Sequence, residues 1–156
     1  MPIEHLPEKL RPGARAFRDW CLGFGPLLVA LGLYGVARGV AYLPITPPIE
    51  RAAHPVETLA PVTLWGWVWI GASIFALAAT LAEQRLSAWA VGIMVGLNGA
   101  WWFSYTVDAV LEGHWLNIVP ASMHLTLAVI PLWAVWRGAR ERQPTRKEVA
   151  DELRRA

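Results

Sequence analysis

The chain has 156 residues, room for one domain and too few for two of ordinary size. Hydrophobic residues make up 55% of it and charged residues 17%, against about a quarter charged in an ordinary soluble domain, and its mean hydropathy is +0.36. That composition argues against a water-soluble enzyme. The single cysteine, Cys21, leaves no intrachain disulfide and no Cys-based zinc site, while a net charge of +2 beside a pI of about 9.0 places the basic residues in clusters.

In chain order, Leu10, Ala14, Phe17 and Cys21 recur at helical spacing while Arg11, Arg15 and Arg18 occupy other faces. This describes a short amphipathic segment lying at a membrane interface, its cations near anionic headgroups. The first twenty residues lack the apolar core of a cleavable signal, so the first apolar helix is expected to act as its own insertion signal. Four apolar stretches follow, at about 21–42, 62–82, 87–107 and 115–136. Each approaches the roughly 20 residues a helix needs to cross about 30 Å of hydrocarbon. Unpaired backbone is not tolerated in lipid, so these stretches read as helices. A Pro-rich loop from Pro44 to Pro61, a Glu83-Gln84-Arg85 turn and an acidic link from Asp108 to Gly113 join them. The remaining residues, 137–156, read as a cytoplasmic tail. Within it Thr145 and Glu148 form a capping-box pattern that predicts a helix over 146–155.

Lys and Arg flank the N-terminus (Lys9, Arg11, Arg15, Arg18), the short turn (Arg85) and the tail (Arg137 to Arg155), whereas the Pro-rich loop has only Arg51 and the acidic link has none. The positive-inside rule then puts both termini in the cytoplasm and the two sparse loops outside. The predicted fold is all-α: one integral membrane four-helix bundle of the cytoplasmic membrane, N-in and C-in. The ten tryptophans fit two belts at the headgroup level, Trp20, Trp89, Trp133 and Trp136 inside and Trp65, Trp67, Trp69, Trp101, Trp102 and Trp115 outside. A sharper reading makes Trp101 and Trp102, or Trp65 to Trp69, part of a ligand pocket.

Gly35 with Gly39, and Gly92 with Gly96 and Ala100, form small-residue ridges at four-residue spacing. Such ridges let helices pack closely, within one subunit or between subunits. Asn98 lies roughly 16 Å along the third stretch, His124 roughly 18 Å from the inner end of the fourth, and Ser73 roughly 18 Å from Arg85. The three side chains form an intramembrane polar layer, read either as interhelical struts or as a path for protons, ions or water. Arg38, roughly 27 Å up the first stretch, either snorkels outward or pairs with Glu112 or with Asp108, roughly 31 Å up the third; the pair with Asp108, which would staple the outer ends, is the expectation.

No catalytic, metal or phosphate-binding motif appears, so no enzyme activity, metal or cofactor is expected, and no basic stripe with interleaved aromatics suggests nucleic acid. His114 and His124, about 15 Å apart along a helix, cannot both ligate one haem iron. The layout, several spans with a charged N-terminus and a strongly basic tail, resembles the holins of bacteriophages of high-GC bacteria. The resemblance covers the whole chain as architecture rather than as a motif. It implies a self-assembling pore former, oligomerising along Gly92, Gly96 and Ala100 with Asn98 and Ser73 toward a lumen. Its expected partners are the lipid bilayer and further copies of itself. Two other readings stay open: an accessory or assembly subunit of a larger membrane complex, and a quinone- or haem-associated redox protein using His124 and the outer tryptophans.

Overall fold

The computed structural model describes residues 5, 7–45, 54–82 and 84–141, and among these there are helices and turns but no strand. After a 3-10 turn at Glu8–Leu10 come α1 (Arg11–Leu22), α2 (Gly25–Val40), the short α3 (Pro55–Thr58), α4 (Val62–Ala79), α5 (Gln84–Leu111), a 3-10 turn at Trp115–Asn117, and α6 (Ile118–Glu141). The helix expected over 146–155 and residues 46–53 of the Pro-rich loop lie outside the described residues.

The first apolar stretch is not one helix over 21–42. It breaks between Leu22 and Gly25, where the segment Glu8–Leu22 meets Gly25–Val40 at 62°. The cause is local: Pro26, in the first turn of α2, has no N–H to offer the carbonyl four residues back, and Gly23 and Gly25 flank the break. A methyl group added at Gly25 would lie 2.2 Å from Trp20 Nε1, so the indole of α1 rests directly on the backbone of α2. The amphipathic segment is correspondingly longer than the sequence suggested, the twelve residues of α1, and Phe17 stacks on Trp20 with ring centroids 6.0 Å apart.

Of the other helices, α4 stops at Ala79 rather than 82, with the Thr80 hydroxyl donating to Leu77 O at 2.7 Å. Helix α5 has 28 residues, about 42 Å at 1.5 Å per residue, well beyond the expected 87–107. Its end is set by Gly113, whose φ of 76° is strained for residues carrying a Cβ. Helix α6 begins after the 3-10 turn and runs past 136 to Glu141 with Pro131 inside it. Three helical segments, Val62–Ala79, Arg85–Leu111 and Trp115–Arg137, are long and apolar enough to cross a membrane, and the bent α1–α2 pair makes a fourth if counted as one span.

Helix α2 packs along α4, α5 along α6, and α4 joins the two pairs by packing on α5. The α2–α4 contact is closest because glycine lines it. Added methyl groups would lie 2.7 Å from Leu77 Cγ at Gly32, 2.1 Å from Ser73 Oγ at Gly35, and 2.7 Å from Gly66 O at Gly39. Rising residue numbers on α2 meet falling numbers on α4, so the helices run antiparallel. Gly35 and Gly39 therefore pack within the chain. The second ridge does not: Gly92, Gly96 and Ala100 are exposed, and nothing lies within 4 Å of a methyl group added at either glycine. The buried face of α5 is the opposite one, through Ala90, Val91, Met94, Asn98, Trp101, Ser104, Tyr105 and Asp108.

Candidate functional site

The interior changes character along the bundle. Toward the α1–α2 elbow it is aliphatic, with Leu28, Leu31, Ala76, Ala79, Ala90 and Met94 buried. That end also holds a cavity of about 440 Å³ lined by Trp20, Phe24, Leu27, Thr80, Ser87 and Ala134, among others. Toward the α3 end the core becomes polar and aromatic. Asn98, Trp101, Tyr105 and Asp108 follow one another at three- and four-residue steps along α5, which puts them on one stripe, and α2, α3, α4 and α6 supply side chains around it.

The Tyr42 hydroxyl is the junction of the network. It donates to Glu57 Oε1 at 2.5 Å and accepts from Arg38 Nη2 at 3.0 Å and from Trp101 Nε1 at 2.9 Å. Its one proton and both lone pairs are thereby engaged. Arg38 Nη2 also donates to the Tyr105 hydroxyl at 2.6 Å. Its guanidinium carbon lies 5.1 Å from the Tyr42 ring centroid and 5.8 Å from that of Tyr105, within cation–π range. Helix α3 folds back over this cluster and buries Glu57 to 4% and His54 to 1% exposure. Ser104 anchors it, accepting from Val56 N–H at 2.8 Å and meeting His54 Nδ1 at 2.7 Å. The Glu57 carboxylate beside the other ring nitrogen favours the tautomer that carries its proton on Nε2. That atom lies 3.2 Å from Glu57 Oε1, near enough for an ion pair but out of line for a hydrogen bond.

Aromatic rings pack around the same cluster. Trp101 meets Trp65 at 5.0 Å, Trp69 at 5.3 Å and His54 at 6.0 Å between centroids, all edge to face, and Tyr105 meets His54 at 4.1 Å. One layer deeper, Tyr105 stacks on His124 at 5.7 Å. His124 Nδ1 donates to Asn98 Oδ1 at 2.9 Å, because the Asn98 amide N–H is committed to Met94 O at 2.8 Å. Its Nε2 faces the Tyr34 hydroxyl at 3.4 Å.

Among the described residues, four buried nitrogens around this cluster have no hydrogen-bond partner: Arg38 Nε, His54 Nε2, Trp65 Nε1 and Trp69 Nε1. Each carries a proton, and each unsatisfied donor costs about 1–3 kcal/mol. Native interiors keep a few such groups per hundred residues, and here the four gather around one cluster.

Of the three residues of the expected polar layer, Asn98 and His124 bond to each other. Ser73 does not join them, because its hydroxyl turns back to Trp69 O at 2.6 Å and packs on Gly35. All three are fully buried within the chain, so the lumen-facing orientation expected of Asn98 and Ser73 is not the one observed. The Arg38–Asp108 pair also does not form. Arg38 is taken by two tyrosines, while Asp108, 3% exposed, accepts from Asn117 Nδ2 and lies 3.1 Å from His114 Nδ1, closing the α5–α6 turn. The tryptophans divide differently from two belts. Trp67, Trp89, Trp115 and Trp133 are exposed, whereas Trp69 and Trp101 are buried and Trp65 is half-buried.

Sequence reasoning missed His54, Glu57, Tyr42, Ser104 and Tyr105. The α5 members were readable from the stripe continuing beyond Asn98. His54 and Glu57, three apart around Pro55, sit in what reads as a connector. No protein-family model, characterised protein or solved structure matches this chain.

Proposed function

We propose that the protein crosses the cytoplasmic membrane four times, the bent α1–α2 pair counting as one span, with both termini inside and the α3 end of the bundle at the outer side. In that frame it is a ligand-holding membrane subunit. The polar–aromatic cluster in its outer half binds a small, membrane-soluble molecule rich in hydrogen-bond acceptors. The observation that supports this most is the set of four buried donors without acceptors on Arg38, His54, Trp65 and Trp69. Ionisable groups within the membrane are costly and mark functional sites by default, and Arg38, Glu57 and His54 stand together in this one. An anchoring role alone would be served more cheaply by apolar residues of similar volume.

A second reading rests on the outward ridge of Gly92, Gly96 and Ala100. Exposed small residues on a span suit close packing against another helix, which supports self-association or docking in a larger complex and keeps the holin-like layout in play. In that reading the ridge carries assembly, and Asn98 and Ser73 are scaffold rather than lumen.

The test is native mass spectrometry of protein released from membranes, paired with dye leakage from vesicles. The binding reading expects a small-molecule adduct on wild type, depleted in Trp69→Phe, which removes the indole N–H and keeps a ring, and no leakage. Leakage from wild-type vesicles without an adduct would favour the pore reading.

A further inference from the structure

We infer that the molecule held in the outer cluster is a quinone, an inference that rests on the ligand-holding reading above. The unpartnered groups are all N–H donors, so the ligand must present acceptors and need not donate. Among the described residues the charges of the cluster, Arg38 and Glu57, are linked through the Tyr42 hydroxyl. An anion would bring an uncompensated charge into a low-dielectric site, whereas a carbonyl accepts N–H bonds without adding charge. The enclosing groups are aromatic faces and edges, at 5.0 Å between Trp65 and Trp101 and 5.3 Å between Trp69 and Trp101. A flat ring packs offset or edge-on against such surfaces. Helices α2 and α6 do not pack along their lengths, and the half-buried Tyr34 stands between them against His124. In this assignment an apolar tail leaves on that side, past the Tyr34 ring. Two opposed carbonyls on a flat, neutral, lipid-soluble ring meet all four requirements together.

The experiment measures thermal stabilisation of the full chain in nanodiscs by decylubiquinone, with decylbenzene as the same tail without carbonyls. A ligand that binds only the folded state raises the melting temperature with its concentration. Wild type is expected to be stabilised by the quinone and not by decylbenzene. Trp69→Phe, and separately Arg38→Lys, which keeps the charge but loses the Nε–H, are each expected to need at least about ten times more quinone for the same shift, the loss of roughly one such bond. Equal stabilisation by decylbenzene, or an unchanged response in both variants, overturns the quinone assignment. No quinone response while the wild-type adduct persists in native mass spectrometry also overturns it, yet leaves the ligand-holding site standing. Absence of both removes the two together.

Discussion

At the scale of single residues, the account turns on groups whose hydrogen bonds are all spoken for beside groups that have none. Glu57 accepts from Tyr42 and faces His54 within a nearly closed interior. Glu57→Ala should therefore lower stability by about 2–4 kcal/mol through newly unsatisfied polar groups, and Glu57→Gln, which still accepts from Tyr42, by less than half of that. Chemical denaturation in mixed micelles checks both, and equal losses would contradict the network. His124 is held on two sides, by Asn98 and by Tyr34. His124→Asn should keep a polar partner for Asn98 and cost on the order of 1 kcal/mol. His124→Leu, which strands the Asn98 carbonyl oxygen, should cost about 1–3 kcal/mol, so a leucine variant as stable as the asparagine one would remove the strut. That Asn98 and His124 lie level with each other was readable from residue counting, because α5 and α6 run helical through both positions. The failure at Arg38 is equally physical, since counting rise places a charge at a height but does not reveal which neighbours surround it. Two tyrosines within reach, one of them four residues on in the turn that follows α2, satisfied the guanidinium before Asp108 could.

At the scale of the helix, the two glycine ridges separate cleanly. Gly35 leaves no room for a methyl group against Ser73, whereas Gly71 has open space around it. Gly39→Ala, whose methyl group would lie 2.7 Å from Gly66 O and 3.0 Å from Ile70 N, backbone atoms that cannot swing aside, should force α2 off α4 and cost about 1–3 kcal/mol by overpacking. Gly71→Ala should be neutral or stabilise by up to about 1 kcal/mol through helix propensity. Unfolding of the two variants side by side checks the pair, and similar behaviour would contradict the glycine-lined contact. Gly92→Ala and Gly96→Ala belong with Gly71 in an isolated chain, so any loss they cause should appear in assembly rather than in folding. The ridges look alike in sequence because four-residue spacing marks a face without saying what covers it. The elbow was hidden differently: hydropathy runs unbroken from Cys21 into Leu27, and the missing N–H of Pro26 is a local signal inside a smooth apolar profile.

At the scale of the whole molecule, helical content and apolar length followed from composition, because long apolar stretches leave the backbone no other way to pair. The cluster under α3 did not, since it depends on a loop folding back onto α5, a long-range contact with no periodicity to announce it. The proposed topology makes one further prediction from the single cysteine, Cys21, which is exposed at the elbow. A membrane-impermeant maleimide should leave Cys21 unlabelled in intact cells and label it after permeabilisation. A Thr58→Cys variant with Cys21 replaced should be labelled in both states, and the reverse pattern would invert the orientation. The most direct measurement of the central claim is a ¹⁵N spectrum of the tryptophan indoles, comparing protein reconstituted with native membrane extract and with pure synthetic phosphatidylcholine. If the outer cluster holds a membrane-soluble acceptor, the Trp65 and Trp69 N–H resonances differ between the two preparations while those of the exposed Trp67 and Trp102 coincide; identical Trp65 and Trp69 resonances in both would contradict it.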